Sequence, residues 1–133
     1  MFRIKYSREI ILKLLYQLDL LDNFDYPVEK LLNDNFFFFK NINEIEKEYI
    51  FKIINAVIDK KESIDELISE NLIGWKLKRF NPIDRNLLRM GIAESYSNEK
   101  KIVIIDDIVR IAKKYGGEDS FKIINAVLDK VIQ

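Results

Sequence analysis

Apolar residues recur along this chain at intervals of three and four positions, which is the spacing of one face of an α-helix. Alternation of apolar and polar residues, typical of half-buried strands, is absent over any long stretch. The pattern therefore predicts an all-α fold of about seven helices. The first spans about residues 8–21 with Ser7 as its N-cap, and the second begins near Pro27, a residue suited to a first helical turn.

The other helices carry their own start and stop signals. Asn43 and Ser63 are each followed three residues later by a glutamate, which is the spacing of a capping box and predicts a helix start at both positions. Gly116 and Gly117 are expected to close the sixth helix, because glycine readily takes the left-handed conformation that ends many helices. The last four helices are predicted over about residues 64–73, 82–97, 102–115 and 119–131.

One helical segment occurs twice. Residues 51–60 and 121–130 have the same sequence except that Ile58 is replaced by Leu128, seventy positions further on. Repetition at a fixed offset normally reflects a copied structural unit. Since helical residues are about 100° apart, the apolar residues of each copy fall on one side, and each copy is expected to face the core. The alternative is one amphipathic pattern that arose twice in a chain rich in isoleucine, lysine and asparagine.

Composition restricts the chemistry of the chain. Its 133 residues fit one domain with a real core, and 22 basic and 22 acidic residues give a formal net charge of zero, so a nucleic-acid site must be a local patch. The absence of cysteine and histidine excludes disulfides, thiolate catalysis and Cys/His zinc sites. Adjacent Asp106 and Asp107 diverge on a helix and cannot converge on one ion. No catalytic residue, metal site or cofactor is expected.

No apolar run approaches the length of a membrane span. The N-terminal segment continues into an amphipathic helix instead of the apolar stretch of a signal peptide. We therefore expect a soluble cytoplasmic protein that does not bind membranes.

The N-terminal segment carries the densest basic patch near a terminus. If the first helix extends backward, Lys5, Arg8 and Tyr16 project away from its apolar side. Cations beside an aromatic ring suit unpaired bases, so these residues are candidates for binding single-stranded RNA. The simpler interpretation is a solvated charged face.

Two further features need an explanation. Glu94 falls on the apolar side of the fifth helix, where a buried carboxylate requires a cationic or N–H partner, and a structural ion pair is favoured over catalysis. Phe36–Phe39 are four consecutive aromatic residues that cannot all face one core from one helix. One interpretation is packing between the second and third helices with one or two rings exposed; the other is a partner-binding patch.

Residues 81–94 read Asn-Pro-Ile-Asp-Arg-Asn-Leu-Leu-Arg-Met-Gly-Ile-Ala-Glu. This segment resembles the Asp-Arg-x-x-Leu-Arg segment, leading to a glutamate, of the NusB family of transcription antitermination factors. Residues 111–116 read Ile-Ala-Lys-Lys-Tyr-Gly, and residues 118–129 resemble a stretch in which the family typically has Phe-Val-Asn-Gly-Val-Leu-Asp. Near the start, Arg-Glu and Leu-Tyr pairs at residues 8–9 and 15–16 also match. The resemblance spans nearly the whole chain.

The resemblance implies one all-α RNA-binding domain over residues 1–133, with helical subdomains near residues 1–61 and 62–133. It also implies a non-enzymatic transcription antitermination factor. Members of the family bind the boxA element of nascent RNA, notably from ribosomal RNA operons. They do so together with the small-subunit ribosomal protein that acts as NusE, within an RNA polymerase antitermination complex.

The resemblance also assigns roles to individual positions. The family's RNA-contacting positions correspond here to Lys5 and Arg8, with Tyr16 and Asp119 beside the same surface. The side expected to meet the ribosomal protein contains Asp84 and Arg85, and Arg89 shares the helix face of Arg85.

The N-terminus departs from the family by having fewer arginines. RNA affinity is therefore expected to depend also on the protein partner or on Lys113, Lys114 and Lys122, and to have a shallow salt dependence. Two alternatives stay open: a NusB-like RNA-binding domain related to those of ribosomal RNA methyltransferases, and a protein-only adaptor that uses Phe36–Phe39.

Overall fold

The computed structural model describes residues 4–72, 74 and 76–133, and within these ranges it contains helices and no strand. The all-α prediction is confirmed. Short 3₁₀ helices occur at Phe36–Phe39 and Leu77–Arg79. The α-helices are α1 (Ile4–Leu20), α2 (Val28–Asp34), α3 (Glu44–Glu70), α4 (Pro82–Ser95), α5 (Lys101–Tyr115) and α6 (Ser120–Val131).

The described residues form six α-helices and not seven, because the third and fourth predicted helices are one. They are joined in α3, where Lys60 has non-helical backbone angles (φ −115°, ψ 17°) that mark a kink. Asn43 caps α3 as predicted, since its side chain accepts a hydrogen bond from the Glu46 N–H at 2.8 Å. Ser63 is not a cap: its hydroxyl donates to the Lys60 carbonyl at 3.0 Å inside the continuous helix. The predicted subdomain boundary at residues 61/62 lies beside this kink, and the division into subdomains stays a prediction.

Two other helix ends differ from the predictions. Helix α1 already begins at Ile4, so Ser7 lies inside it and is buried instead of capping it. Gly116, which follows α5, is extended (φ −85°, ψ −176°) and not left-handed. Position 116 has no room for a side chain, because a Cβ there would lie 2.5 Å from Asp84 Oδ1 and 2.7 Å from the Ala112 carbonyl oxygen.

The core surrounds α4. This helix packs against α1, α3, α5 and α6, and ten of its fourteen residues are buried. A helix buried on most sides has few positions for unpaired charge, so its polar residues need partners from neighbouring helices. Asn81 caps α4 by accepting the Asp84 N–H at 2.9 Å, and the helix begins at Pro82 as the sequence predicted.

Both copies of the repeat are helical and face the core. In α3, Ile54 and Val57 are buried, and their counterparts Ile124 and Val127 are buried in α6. The predicted orientation of each copy is therefore confirmed.

Candidate nucleic-acid interface

An apolar, aromatic groove opens where α1 meets the end of α5. Tyr16 on α1 and Tyr115 at the last position of α5 both line it, together with Phe38 from the 3₁₀ turn. The groove has a volume of about 320 Å³. Its remaining lining residues are Leu12, Lys13, Gln17 and Ile83. Aromatic rings with a lysine at the rim are the elements that hold unpaired bases.

Two exposed lysines, one on α5 and one on α6, lie at the ring of Phe121. The Lys113 ammonium lies 4.8 Å from the ring centroid of Phe121, and the Lys122 ammonium lies 5.9 Å from the same centroid. The tertiary structure thus brings two of the predicted lysines to one aromatic ring. Asp119, at the N-cap position of α6, is exposed and lies 3.6 Å from the Lys122 ammonium.

Glu9 connects α1 to the end of α5. Its Oε1 accepts hydrogen bonds from the Lys114 ammonium at 3.0 Å and from the Tyr115 hydroxyl at 2.9 Å, while its Oε2 lies 3.5 Å from Arg110. Partial burial opposes ionisation of Glu9, but the hydrogen bonds from Lys114 and Tyr115 outweigh it and lower its pKa. The hydrogen bond to Glu9 in turn raises the pKa of Lys114. One carboxylate therefore orients both a lysine and a groove tyrosine.

Arg8 does not lie on the exposed face that the sequence predicted. Its side chain is only 1% exposed, and its Nε donates to both carboxylate oxygens of Glu94 at 2.8 and 2.9 Å. Its Nη1 donates to Asp107 at 2.9 Å. The predicted exposure of Arg8 was wrong because α4 and α5 supply buried carboxylates to a side of α1 that looks polar in the sequence. Its role in RNA binding stays a prediction. The ion-pair interpretation of Glu94 is confirmed.

The other predicted RNA-binding residues are placed as follows. Lys5 lies in α1, but its side chain is outside the described residues. Tyr16 lies half-buried in the groove wall, and Lys114 is exposed beside Glu9. Lys13 belongs to the N-terminal basic segment of the sequence, but its place in the groove was not predicted, and Tyr115 was missed altogether. The only available signal was that Tyr115 directly follows two lysines, a combination common on single-strand binding surfaces.

Two of the three residues predicted to meet a protein partner, Arg85 and Arg89, belong to a partly buried polar cluster around Asp19. Arg85 donates through Nε to Asp19 at 2.6 Å, Asn86 donates to Asp19 at 2.8 Å, and Arg89 donates to Asp19 at 2.9 Å. Arg89 also donates to Asp65 at 2.7 Å. Arg85 keeps 18% of its side chain exposed, and both arginines line a depression of about 440 Å³.

Asp84 is buried behind the turn between α5 and α6. It accepts hydrogen bonds from Asn81 at 2.8 Å and from the Ser120 hydroxyl. It therefore has little surface to offer a partner directly. Its hydrogen bond with Ser120 ties the start of α4 to the start of α6. Its contact with a protein partner stays a prediction.

Within residues 4–72, 74 and 76–133, no cluster of three or more carboxylates has the arrangement of a metal site. None of the helices in that part of the chain is both long and apolar enough to cross a membrane.

Fold and surface together define an all-helical protein with a basic, aromatic face of the type that binds single-stranded nucleic acids. The family model described as "NusB family" matches residues 5–133. The chain belongs to the NusB family.

Curated relatives carry the same family name over nearly their whole length. The chain is 35% identical to the transcription antitermination protein NusB of Acetivibrio thermocellus over 130 residues, which cover 96% of this chain and 86% of that protein. It is 36% identical to the protein of that name from Clostridium botulinum, covering 97% of each chain. These relatives are named for a non-enzymatic role in transcription.

Solved structures agree with this assignment. The structure titled T. maritima NusB has a TM-score of 0.86 at 29% identity and is matched over 99% of this chain and 92% of that one. A crystal structure of antitermination factors NusB and NusE in complex with dsRNA gives a TM-score of 0.83 at 27% identity, over 96% of this chain and 94% of its counterpart.

Proposed function

We propose that this protein is a non-enzymatic, cytoplasmic transcription antitermination factor. It binds boxA RNA of nascent transcripts, notably from ribosomal RNA operons, together with the small-subunit ribosomal protein that acts as NusE. It does so as part of an RNA polymerase antitermination complex. Family membership and the NusB–NusE–RNA structure support this role. The full-length matches to antitermination proteins favour it over a domain of a ribosomal RNA methyltransferase.

The observation that carries the proposal is the link between the groove and a lysine: Tyr115 lines the groove, and Glu9 accepts hydrogen bonds from both Tyr115 and Lys114. Bases stack in the groove between Tyr16 and Tyr115, and Lys13, Lys113, Lys114 and Lys122 follow the phosphates. Stacking contributes about 1–3 kcal/mol per base, whereas each phosphate neutralised on a single strand adds about 0.7 to the salt slope. Arg8 acts from below this surface by holding α1 on α4 and α5. Lys5 is proposed to bind RNA on the ground of the family resemblance alone.

The protein partner is proposed to dock at the depression lined by Arg85 and Arg89. This depression is rimmed by charges of both signs, including Asp22, Lys76 and Lys78. A mixed-charge rim suits a polar protein surface, because complementary charges fix the orientation of the partner. Asp84 contributes by holding the start of α4 to the turn before α6.

Reversing the charge of Lys113, Lys114 and Lys122 tests the RNA site. We expect the triple variant Lys113→Glu, Lys114→Glu and Lys122→Glu to bind a labelled boxA RNA at least about tenfold more weakly and with a salt slope lower by roughly 2. The measurement is fluorescence anisotropy at several salt concentrations. The matched control reverses three exposed lysines elsewhere, Lys47, Lys52 and Lys100. Equal losses in both variants would show that only net charge matters.

The same assay separates specificity from general affinity. We expect boxA RNA to bind more tightly than a scrambled RNA, and more tightly with the ribosomal partner than without it. A duplex of the same sequence belongs in the comparison, since the solved NusB–NusE complex contains double-stranded RNA. Weak and equal binding to every RNA, with or without partner, would contradict the proposal.

Glu9 limits the positive charge of this face. We expect Glu9→Gln to bind RNA about two- to fivefold more tightly, because a negative charge near the phosphates contributes roughly 0.5–1 kcal/mol of repulsion in a solvated setting. Glutamine keeps an oxygen that accepts from Lys114 and Tyr115. The control is Glu62→Gln, an exposed carboxylate beside a different depression. Weaker binding by Glu9→Gln would mean that orienting the lysine outweighs the charge.

A further inference from the structure

Two solvent-exposed phenylalanine rings lie next to the groove. Phe36 is 75% exposed and Phe37 is 57% exposed, although both belong to an ordered 3₁₀ turn between α2 and α3. Their rings meet edge to face, with centroids 6.2 Å apart and planes at 84°. The sequence prediction that one or two of the four phenylalanines are exposed is confirmed. Adjacent exposed rings form a contiguous apolar patch, and such patches are a feature of interaction surfaces.

The exposed rings are continuous with the groove. Phe37 contacts Phe38, with centroids 4.3 Å apart and planes tilted by 51°. Phe38 in turn lines the groove with Tyr16 and lies 5.3 Å from the Lys13 ammonium. One row of rings therefore extends from the groove to Phe36, with a cation beside it.

The turn is anchored to the same helix that forms the groove. Gln17 donates to the Asn35 side-chain oxygen at 2.7 Å, and Asn35 donates back to the Gln17 side-chain oxygen at 3.0 Å. Asn35 also donates to the Leu31 carbonyl at 2.9 Å. This reciprocal amide pair fixes the residue directly before Phe36, so the rings are held in place before any ligand arrives. A preorganised surface loses less conformational entropy on binding.

We propose that Phe36 and Phe37 form a stacking platform for unpaired RNA bases that leave the groove. The inference rests on the proposed function, because it extends the same RNA site by one or two nucleotides. Two rings, each of roughly 150–250 Å², are far smaller than the ~800 Å² that each partner contributes to a stable protein interface. Bases need only a ring face and a nearby cation, which Phe37 and Lys13 supply.

The experiment compares short and long single-stranded RNAs. One oligonucleotide is just long enough for the groove, about 6 nucleotides, and a longer one of about 12 extends beyond it, both within the site sizes of single-strand binding surfaces. We expect the double variant Phe36→Ala, Phe37→Ala to bind the longer RNA about tenfold more weakly and the shorter RNA as the wild type does. The salt slope should not change, because no charge is removed.

Two controls keep the result specific. Tyr96→Ala removes an exposed ring at the end of α4 and should leave binding to both RNAs unchanged. Phe36→Trp with Phe37→Trp keeps ring faces for stacking and should retain the affinity for the longer RNA. Thermal unfolding of each variant checks that folding is intact.

The outcomes separate the two proposals. If the wild-type protein binds neither RNA, alone or with the ribosomal partner, the proposed function fails. If it binds both and the alanine variant matches it at both lengths, only the stacking platform fails. If RNA binding is unchanged but affinity for the ribosomal partner falls, the patch is a protein-docking surface and the stacking proposal is overturned.

Discussion

Replacing Arg8 with alanine is expected to lower the free energy of unfolding by about 3–5 kcal/mol. The guanidinium is buried and bridges Glu94 on α4 and Asp107 on α5. Burial raises the pKa of Glu94, and the charge and hydrogen bonds of Arg8 act against that effect. Without Arg8, the Glu94 carboxyl must stay buried without its cation or take up a proton. Chemical denaturation at neutral pH measures the loss.

The control for this prediction is Arg79→Ala. Arg79 is exposed at the end of the second 3₁₀ helix, so its loss should change stability by less than about 0.5 kcal/mol. Combining Arg8→Met with Glu94→Leu should recover part of the loss, because removing both charges leaves neither of them unpaired. If Arg8→Ala kept full stability and lost RNA binding, the RNA-contact role predicted from the sequence would stand after all.

Replacing Asp19 with alanine is expected to cost about 3 kcal/mol of unfolding free energy. The carboxylate accepts hydrogen bonds from Arg85, Asn86 and Arg89, and alanine leaves all three donors without this acceptor. The matched control is Asp59→Ala, which removes an exposed carboxylate from α3. A loss as small as that of the control would show that water or neighbouring groups satisfy the arginines.

The effect of Asp19 should also depend on pH. Burial opposes its ionisation, but the hydrogen bonds from Arg85 and Asn86 and the nearby arginine charges outweigh burial, so its pKa lies below the ordinary value of 3.8. A lowered folded-state pKa adds stability that is fully present above the unfolded-state pKa and is lost as pH falls through the folded-state value. In Asp19→Asn, the acid loss of stability should therefore be shallower than in the wild type. Urea unfolding between about pH 2.5 and pH 7 measures the difference.

The Asp19 cluster also bears on the partner site. Arg85 and Arg89 line the depression proposed for the ribosomal protein, and Asp19 holds both side chains in place. A destabilised Asp19 variant that remains folded at low temperature should therefore bind the partner more weakly while keeping its affinity for RNA. RNA affinity should be kept because the residues proposed to bind RNA lie on α1, α5 and α6 and have other hydrogen-bond partners, such as Glu9.

Local pattern was a reliable guide to helices and an unreliable guide to individual charges. The helical spacing of apolar residues, the cap at Asn43 and the start of α4 at Pro82 were predicted correctly because they depend on neighbours within one turn. Ser63 was misread because it has the same local pattern as a cap, and only the packing of α3 keeps the helix continuous there. The need for a glycine at position 116 likewise comes from a contact with Asp84, which is distant in sequence.

Taken alone, the sequence determined the all-α class, the two core-facing copies of the repeat, the absence of Cys/His chemistry and the need of Glu94 for a cation. These follow from composition and from contacts within a helical turn. Only the tertiary structure decided that Arg8 is that cation, that Tyr16 and Tyr115 line one groove, and that Phe37 packs on the groove residue Phe38. Each of these depends on which helices pack together. Arg8 and Glu94 are 86 residues apart, a separation at which no local pattern shows which buried charge will meet which.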